Sequence, residues 1–141
     1  MEYSDWYYRR LLLHRWLSYA ELPVFAAEYA LGQRLISSNS QPEWVKPAHE
    51  SAAGVLGGLF AVNTVTGAWN LWESRGSTDQ RGLVWTHSAL MLAADAGFAA
   101  TGILASNAGR SVSDRNRHKQ AAIVSMGVAS LGTVLMWFAR R

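Results

Sequence analysis

Residues 121–139 read AAIVSMGVASLGTVLMWFA, a stretch with no charged side chain. A helix needs roughly 20 mostly apolar residues to cross the hydrocarbon core of a bilayer. The stretch therefore predicts a membrane span. Its helix begins earlier, near 113, in the polar segment SVSDRNRHKQ, where Ser113 or Asp114 can cap it.

Three further segments extend the pattern outward from this one. Residues 83–105 are apolar apart from His87, Asp95 and a few hydroxyls. Residues 48–72, AHESAAGVLGGLFAVNTVTGAWNLW, are rich in small residues. Residues 11–36 are the least apolar, broken by Glu21, Glu28 and Arg34, with a kink expected at Pro23. The connections are short and rich in Ser, Asn, Gly and Pro. Short connections force neighbouring helices to run antiparallel. The expectation is an all-α, integral membrane, four-helix up-down-up-down bundle forming one transmembrane domain, with helices at about 11–36, 48–72, 83–105 and 113–139.

Composition agrees. Half of the 141 residues are hydrophobic and 16% are charged. A soluble helical domain would carry charge along every outer face. Trp6, Trp16, Trp44, Trp72, Trp85 and Trp137 fall near expected helix ends, where a membrane interface favours them. The net charge of +3 is small and confined to flanks and loops, which argues against nucleic-acid binding. Arg9, Arg10, Arg15, Arg75, Arg81, Arg140 and Arg141 fall on one side. Arg34, Lys46, Arg110, Arg115, Arg117 and Lys119 fall on the other. The bias is slight and places both termini in the cytoplasm, in a bacterial inner membrane or its equivalent. The opening MEYSDWYYRR lacks the pattern of a cleavable signal peptide. The absence of cysteine excludes disulfides, thiolate metal sites and covalently attached c-type haem.

The chemistry lies in four histidines: His14, His49, His87 and His118. Each stands near the start of a different expected helix. In an up-down bundle, helices one and three start on one face of the membrane, two and four on the other. His14 and His87 then share one face, His49 and His118 the other. Each pair also sits on helices that are diagonal in the simplest bundle. Two imidazoles facing across a bundle axis suit a six-coordinate b-type haem, which needs axial ligands and an apolar slot. Below His118 lie Ala121, Ala122, Ser125, Ala129 and Gly132. Below His49 lie Ala52, Ala53 and Leu56, with Gly57 and Gly58 nearby. His87 is followed by Met91, Ala94 and Phe98. These residues leave room for a flat macrocycle, although small residues also let membrane helices pack closely with no ligand at all.

The segments RRLLLH (9–14), RNRH (115–118), HESAAGVLGG (49–58) and HSALMLAADAGF (87–98) give the chain a resemblance to transmembrane di-haem b cytochromes of the cytochrome b-561 type. That resemblance implies a four-helix core holding one or two b haems through His14–His87 and His49–His118, and an electron carrier rather than a stand-alone enzyme. The chain is shorter than those proteins, and its ligand candidates all lie at helix starts.

Glu21 and Glu28 follow His14 by seven and fourteen residues, on one helix face. Asn63 and Asn70 stand in the same relation to His49. A charge at mid-membrane costs about 2.5–3.5 kcal/mol on the insertion scale, so Glu21, Glu28 and Asp95 are expected to face the protein interior, be protonated, or pair. They can form a proton path or a quinone-binding wall. The structural alternative is interhelical hydrogen bonding, with Glu28 on Arg34 and Asp95 on Asn63, Thr64 or Thr66, and it is the commoner role. A di-iron site is not expected, because no Glu-x-x-His motif is present. Two other functions fit the composition. One is a small accessory subunit of a larger membrane complex, with histidines that are structural or ligate a pigment's metal. The other is a transporter using the buried acids, though it lacks the inverted repeats many transporters carry.

Overall fold

A computed structural model describes residues 2–37 and 40–139. The four helices are α1 (Asp5–Ser37), α2 (Val45–Ser74), α3 (Arg81–Ala105) and α4 (Val112–Phe138), and the described residues contain no strand. The chain is an all-α four-helix bundle. α1 starts six residues before the expected boundary, taking in the aromatic segment where Tyr3 and Tyr7 stack. It continues through Pro23 as one helix. α4 is capped by Ser111, whose hydroxyl oxygen accepts from the Asp114 amide at 3.0 Å, rather than by Ser113 or Asp114. Capping fits Ser111 because its extended backbone lets the side chain turn back onto the first helical turn.

α2, α3 and α4 are each long and apolar enough to cross a membrane. α1 falls short on composition, because its acids lie within the span. Those acids point inward: Glu21 is 0% exposed and Glu28 7%. What makes α1 look polar in sequence is its inner face. The outer surface of the bundle is apolar, with Val55, Val62, Val65, Leu92, Ile103, Val124 and Leu131 exposed. In water such a surface would be unstable, and in lipid it is the expected one. All six tryptophans of the expected interfacial belt are exposed.

α1 packs closely on α2, and α3 on α4, whereas the two hairpins touch each other sparingly. α1 and α3 are diagonal, as are α2 and α4. The hairpins meet at mid-height through Phe25, Phe60 and Phe98, with ring centres 4.5–6.0 Å apart, seated on Ala94 and Ala129. Within the α3–α4 hairpin Gly97 lies against Ser125, where any Cβ would collide with the Ser125 hydroxyl.

Three glycines of α2 behave differently from expectation. A Cβ at Gly54, Gly57 or Gly58 would meet nothing within 4 Å, so packing inside the bundle does not explain them. Ala53 is likewise exposed. Ala52 and Leu56 do line the inner side below His49. Below His118, Ser125, Ala129 and Gly132 are buried, and Ala121 and Ala122 are half-buried.

Polar clasps tie the helix ends. Arg10 bridges the Asn70 amide oxygen and the Glu73 carboxylate, and the Ser4 hydroxyl donates to Glu73 at 2.6 Å. The Gln80 amide reaches the Ala139 carbonyl at 3.5 Å. The start of α1, the α2–α3 connection and the end of α4 therefore share one end of the bundle. Arg140 and Arg141, counted above as topology signals, lie outside the described residues.

Candidate functional site

The inner face of each helix follows a seven-residue stripe. α1 places His14, Glu21 and Glu28 on it, and α2 places His49, Leu56, Asn63 and Asn70. α3 contributes His87, Ala94 and Thr101, and α4 His118, Ser125 and Gly132. Seven residues are two turns to within 20°, so one side of each helix repeatedly faces the axis.

The four histidines meet in two diagonal pairs. The ring centres of His14 and His87 are 6.1 Å apart with planes at 86°. Those of His49 and His118 are 6.3 Å apart at 82°. Both pairings are those expected from the sequence. All four rings are half-buried, so His118 is less exposed than its RNRHKQ setting suggests.

Each imidazole is held from behind by the other helix of its own hairpin. His14 Nδ1 lies 3.1 Å from the Asn63 carbonyl and 3.2 Å from the Thr66 hydroxyl. His87 Nδ1 lies 3.0 Å from the Gly132 carbonyl. His118 Nδ1 lies 3.0 Å from the Thr101 carbonyl. His49 Nδ1 is 3.1 Å from Glu28 Oε1, with the acceptor off the N–H line. A pattern runs through these anchors. Every one sits fourteen residues after the histidine of its own helix: Glu28 after His14, Asn63 after His49, Thr101 after His87, Gly132 after His118. Fourteen residues of helix rise about 21 Å. The two pairs are therefore separated by that distance along the bundle, about two-thirds of a hydrocarbon core. A carbonyl acceptor fixes Nδ1 as the protonated nitrogen and leaves Nε2 as the free donor atom.

Glycines lie against three of the rings. A Cβ at Gly67 would stand a tight 3.1 Å from His14 Cε1, whereas one at Gly32 would be in ordinary contact, 3.4 Å from His49 Cε1, and one at Gly132 would meet Met91 Sδ at 2.9 Å before His87 Nδ1 at 3.7 Å. Sequence alone did not single out Gly32 or Gly67, because their role depends on which helix lies opposite.

A cavity of about 360 Å³ opens at the His14–His87 pair, lined also by Tyr7, Arg15, Asn63 and Asp95. That volume lies within the range of small-molecule and cofactor sites. The Arg15 Nε is buried with no partner among the described residues. Arg75 and Arg81 line the same cavity.

The acids divide between structure and site. Glu21 accepts from the Asn63 amide at 2.7 Å, and Asn63 also donates to Ser18 at 3.1 Å. Asp95 accepts from the Thr64 hydroxyl at 2.6 Å, one of its expected partners. Glu28 does not pair with Arg34. It faces His49, while the Arg34 guanidinium lies over the Trp44 ring. The reason is geometric: Glu28 is on the inner stripe and Arg34 lies six residues on, well off it. Asn63→Ala should lower thermal stability by about 1–3 kcal/mol, because it strands the buried Glu21 carboxylate. Thr64→Val should have a smaller effect, since Asp95 is only half-buried. Thermal unfolding in detergent compares the two.

Among the described residues no three His, Cys, Asp or Glu side chains converge as a metal-ion site. Two imidazoles alone do not complete the coordination sphere of a bare ion. They suit a centre whose other ligands come with it.

No family model, no curated protein and no solved structure matches this chain.

Proposed function

We propose that the protein is a membrane electron carrier holding two b-type haems, one between His14 and His87 and one between His49 and His118. The observation that carries this reading is the spacing of the pairs. An imidazole bound through Nε2 at about 2.0–2.1 Å puts its ring centre about 3.2 Å from the metal. Two such ligands sharing one iron would have ring centres at most about 6.4 Å apart, and the pairs measure 6.1 and 6.3 Å. The back-side hydrogen bonds have the form that fixes metal-ligating histidines. Arg15, whose Nε is buried without a partner among the described residues, and the nearby Arg75 and Arg81 offer cations to the carboxylates that a b haem carries.

When bound, the haem would supply reversible one-electron transfer. The chain's own residues hold the ligand nitrogens, keep lipid and water from the ring faces and set the separation of the two sites. Phe25, Phe60 and Phe98 fill the bundle between them. Glu21 and Asp95, near the His14–His87 cavity, are available for proton movement if the partner is a quinone. We place the termini in the cytoplasm, on the slight excess of lysine and arginine at that end, seven against six.

The test is a dithionite-reduced minus air-oxidised spectrum of the full chain purified in detergent with haem supplied. A sharp α-band of low-spin bis-histidine haem b is expected. A flat spectrum overturns the reading and leaves the accessory-subunit function as the stronger one.

A further inference from the structure

We propose that the carboxylate of Glu28 sets the redox potential of the His49–His118 site, holding it lower than the ligands alone would; this rests on the haem reading above. Three of the four imidazoles are backed by backbone carbonyls, which are neutral acceptors: Asn63 for His14, Gly132 for His87 and Thr101 for His118. The fourth is backed by a carboxylate, with Glu28 Oε1 3.1 Å from His49 Nδ1. Glu28 occupies the register position of the other three anchors, so its own carbonyl is at the matching level. The side chain adds a charge that the other three sites lack.

That charge is nearly sealed from solvent. Glu28 is 7% exposed, and its second oxygen, Oε2, is buried with no hydrogen-bond partner among the described residues. No basic side chain lies within ion-pair distance of it among those residues apart from His49 itself. A carboxylate in low dielectric acts strongly on its neighbours. Beside an imidazole ligand it favours the more positive oxidation state of an iron held there, which would stabilise the ferric form and lower the potential. Glu28 does not touch the iron and acts only through His49, as a positioning and tuning residue. The consequence is a carrier whose two sites are tuned separately, the one near the α1–α2 connection by a buried charge.

The experiment is spectroelectrochemical titration of the haem-loaded full chain in detergent, for the wild type, E28Q and E28D. His49→Ala first identifies which redox transition belongs to the His49–His118 site, as the one it removes. E28Q should raise that midpoint by at least a tenfold change in the equilibrium constant, about 59 mV for a one-electron couple, and leave the other transition unmoved. E28D keeps the charge but withdraws it by one methylene, and should give a smaller rise in the same transition. If E28Q does not accumulate as a folded protein, E28D decides the matter. The assigned midpoint staying put, or both midpoints moving together, overturns the role of Glu28 while the haem reading stands. A wild-type chain with no haem spectrum overturns that reading instead.

Discussion

His87→Ala is expected to lose one haem and keep the other, the largest single effect the arrangement allows. The ligand nitrogen disappears, while the rest of the change is small. The Gly132 carbonyl loses a hydrogen bond worth about 1 kcal/mol, and α3 keeps its helix-favouring alanine. His14→Ala should give the same spectrum, because the two rings would share one iron. Combining His14→Ala with His87→Ala should remove nothing further. Combining His87→Ala with His118→Ala should abolish the α-band. Residues acting as one unit are non-additive and separate sites add, so the pairing is read directly from haem content per chain. Added imidazole, filling the space left by His87→Ala, should restore part of the low-spin band. If His87→Ala and His49→Ala proved non-additive instead, the diagonal pairing would be wrong.

The second large effect is expected at a glycine. Gly97→Leu should disrupt folding, whereas Gly54→Leu should leave both stability and haem content unchanged in the isolated chain. At Gly97 the first added atom already collides with the Ser125 hydroxyl and lies 3.1 Å from the Ser125 Cβ. The Ser125 hydroxyl donates to the Ala121 carbonyl at 2.7 Å and is not free to swing away without losing that bond. Overpacking of this kind costs about 1–3 kcal/mol in a close-packed interior. In a bilayer the loss weighs more, because helix association rests on close packing rather than on the hydrophobic effect. The damage should extend to both histidine pairs. The α3–α4 hairpin carries His87 and His118, and each is fastened to the other's helix. At Gly54 nothing stands within 4 Å, so a leucine there only adds apolar surface for lipid. Thermal unfolding in detergent, with haem retention as a second readout, separates the two variants. Equal loss in both would mean that the α2 face is covered.

The contrast between these glycines shows where sequence reading ends. In the string of letters, Gly54, Gly57, Gly58 and Gly97 are alike: small residues in apolar helices. Only the packing of α3 on α4 sets one of them against a neighbouring side chain. The same holds for the acids. Hydropathy asks that Glu21, Glu28 and Asp95 face inward, pair or be protonated, because a charge exposed to lipid is too costly; Glu21 and Glu28 are buried and Asp95 is half-buried. It does not say that Glu21 finds Asn63, or that Glu28 turns to His49 rather than to Arg34. Those choices follow from which hairpin partner stands opposite at the same height.

What the sequence determined by itself is whatever depends on period and length. The span of uncharged residues at 121–139, the turn-rich connections and the position of one histidine near each helix start are local properties. From them follow four helices, their up-down order and the assignment of His14 with His87 and His49 with His118. The tertiary structure decided the rest: that the pairs close to 6.1 and 6.3 Å, that three rings are anchored by carbonyls and one by a carboxylate, and that Phe25, Phe60 and Phe98 part the two levels. The fourteen-residue offset behind every anchor was present in the letters. It acquires meaning only once antiparallel packing puts residue 28 beside residue 49 and residue 63 beside residue 14, because two helices running in opposite directions turn equal spacings into contacts.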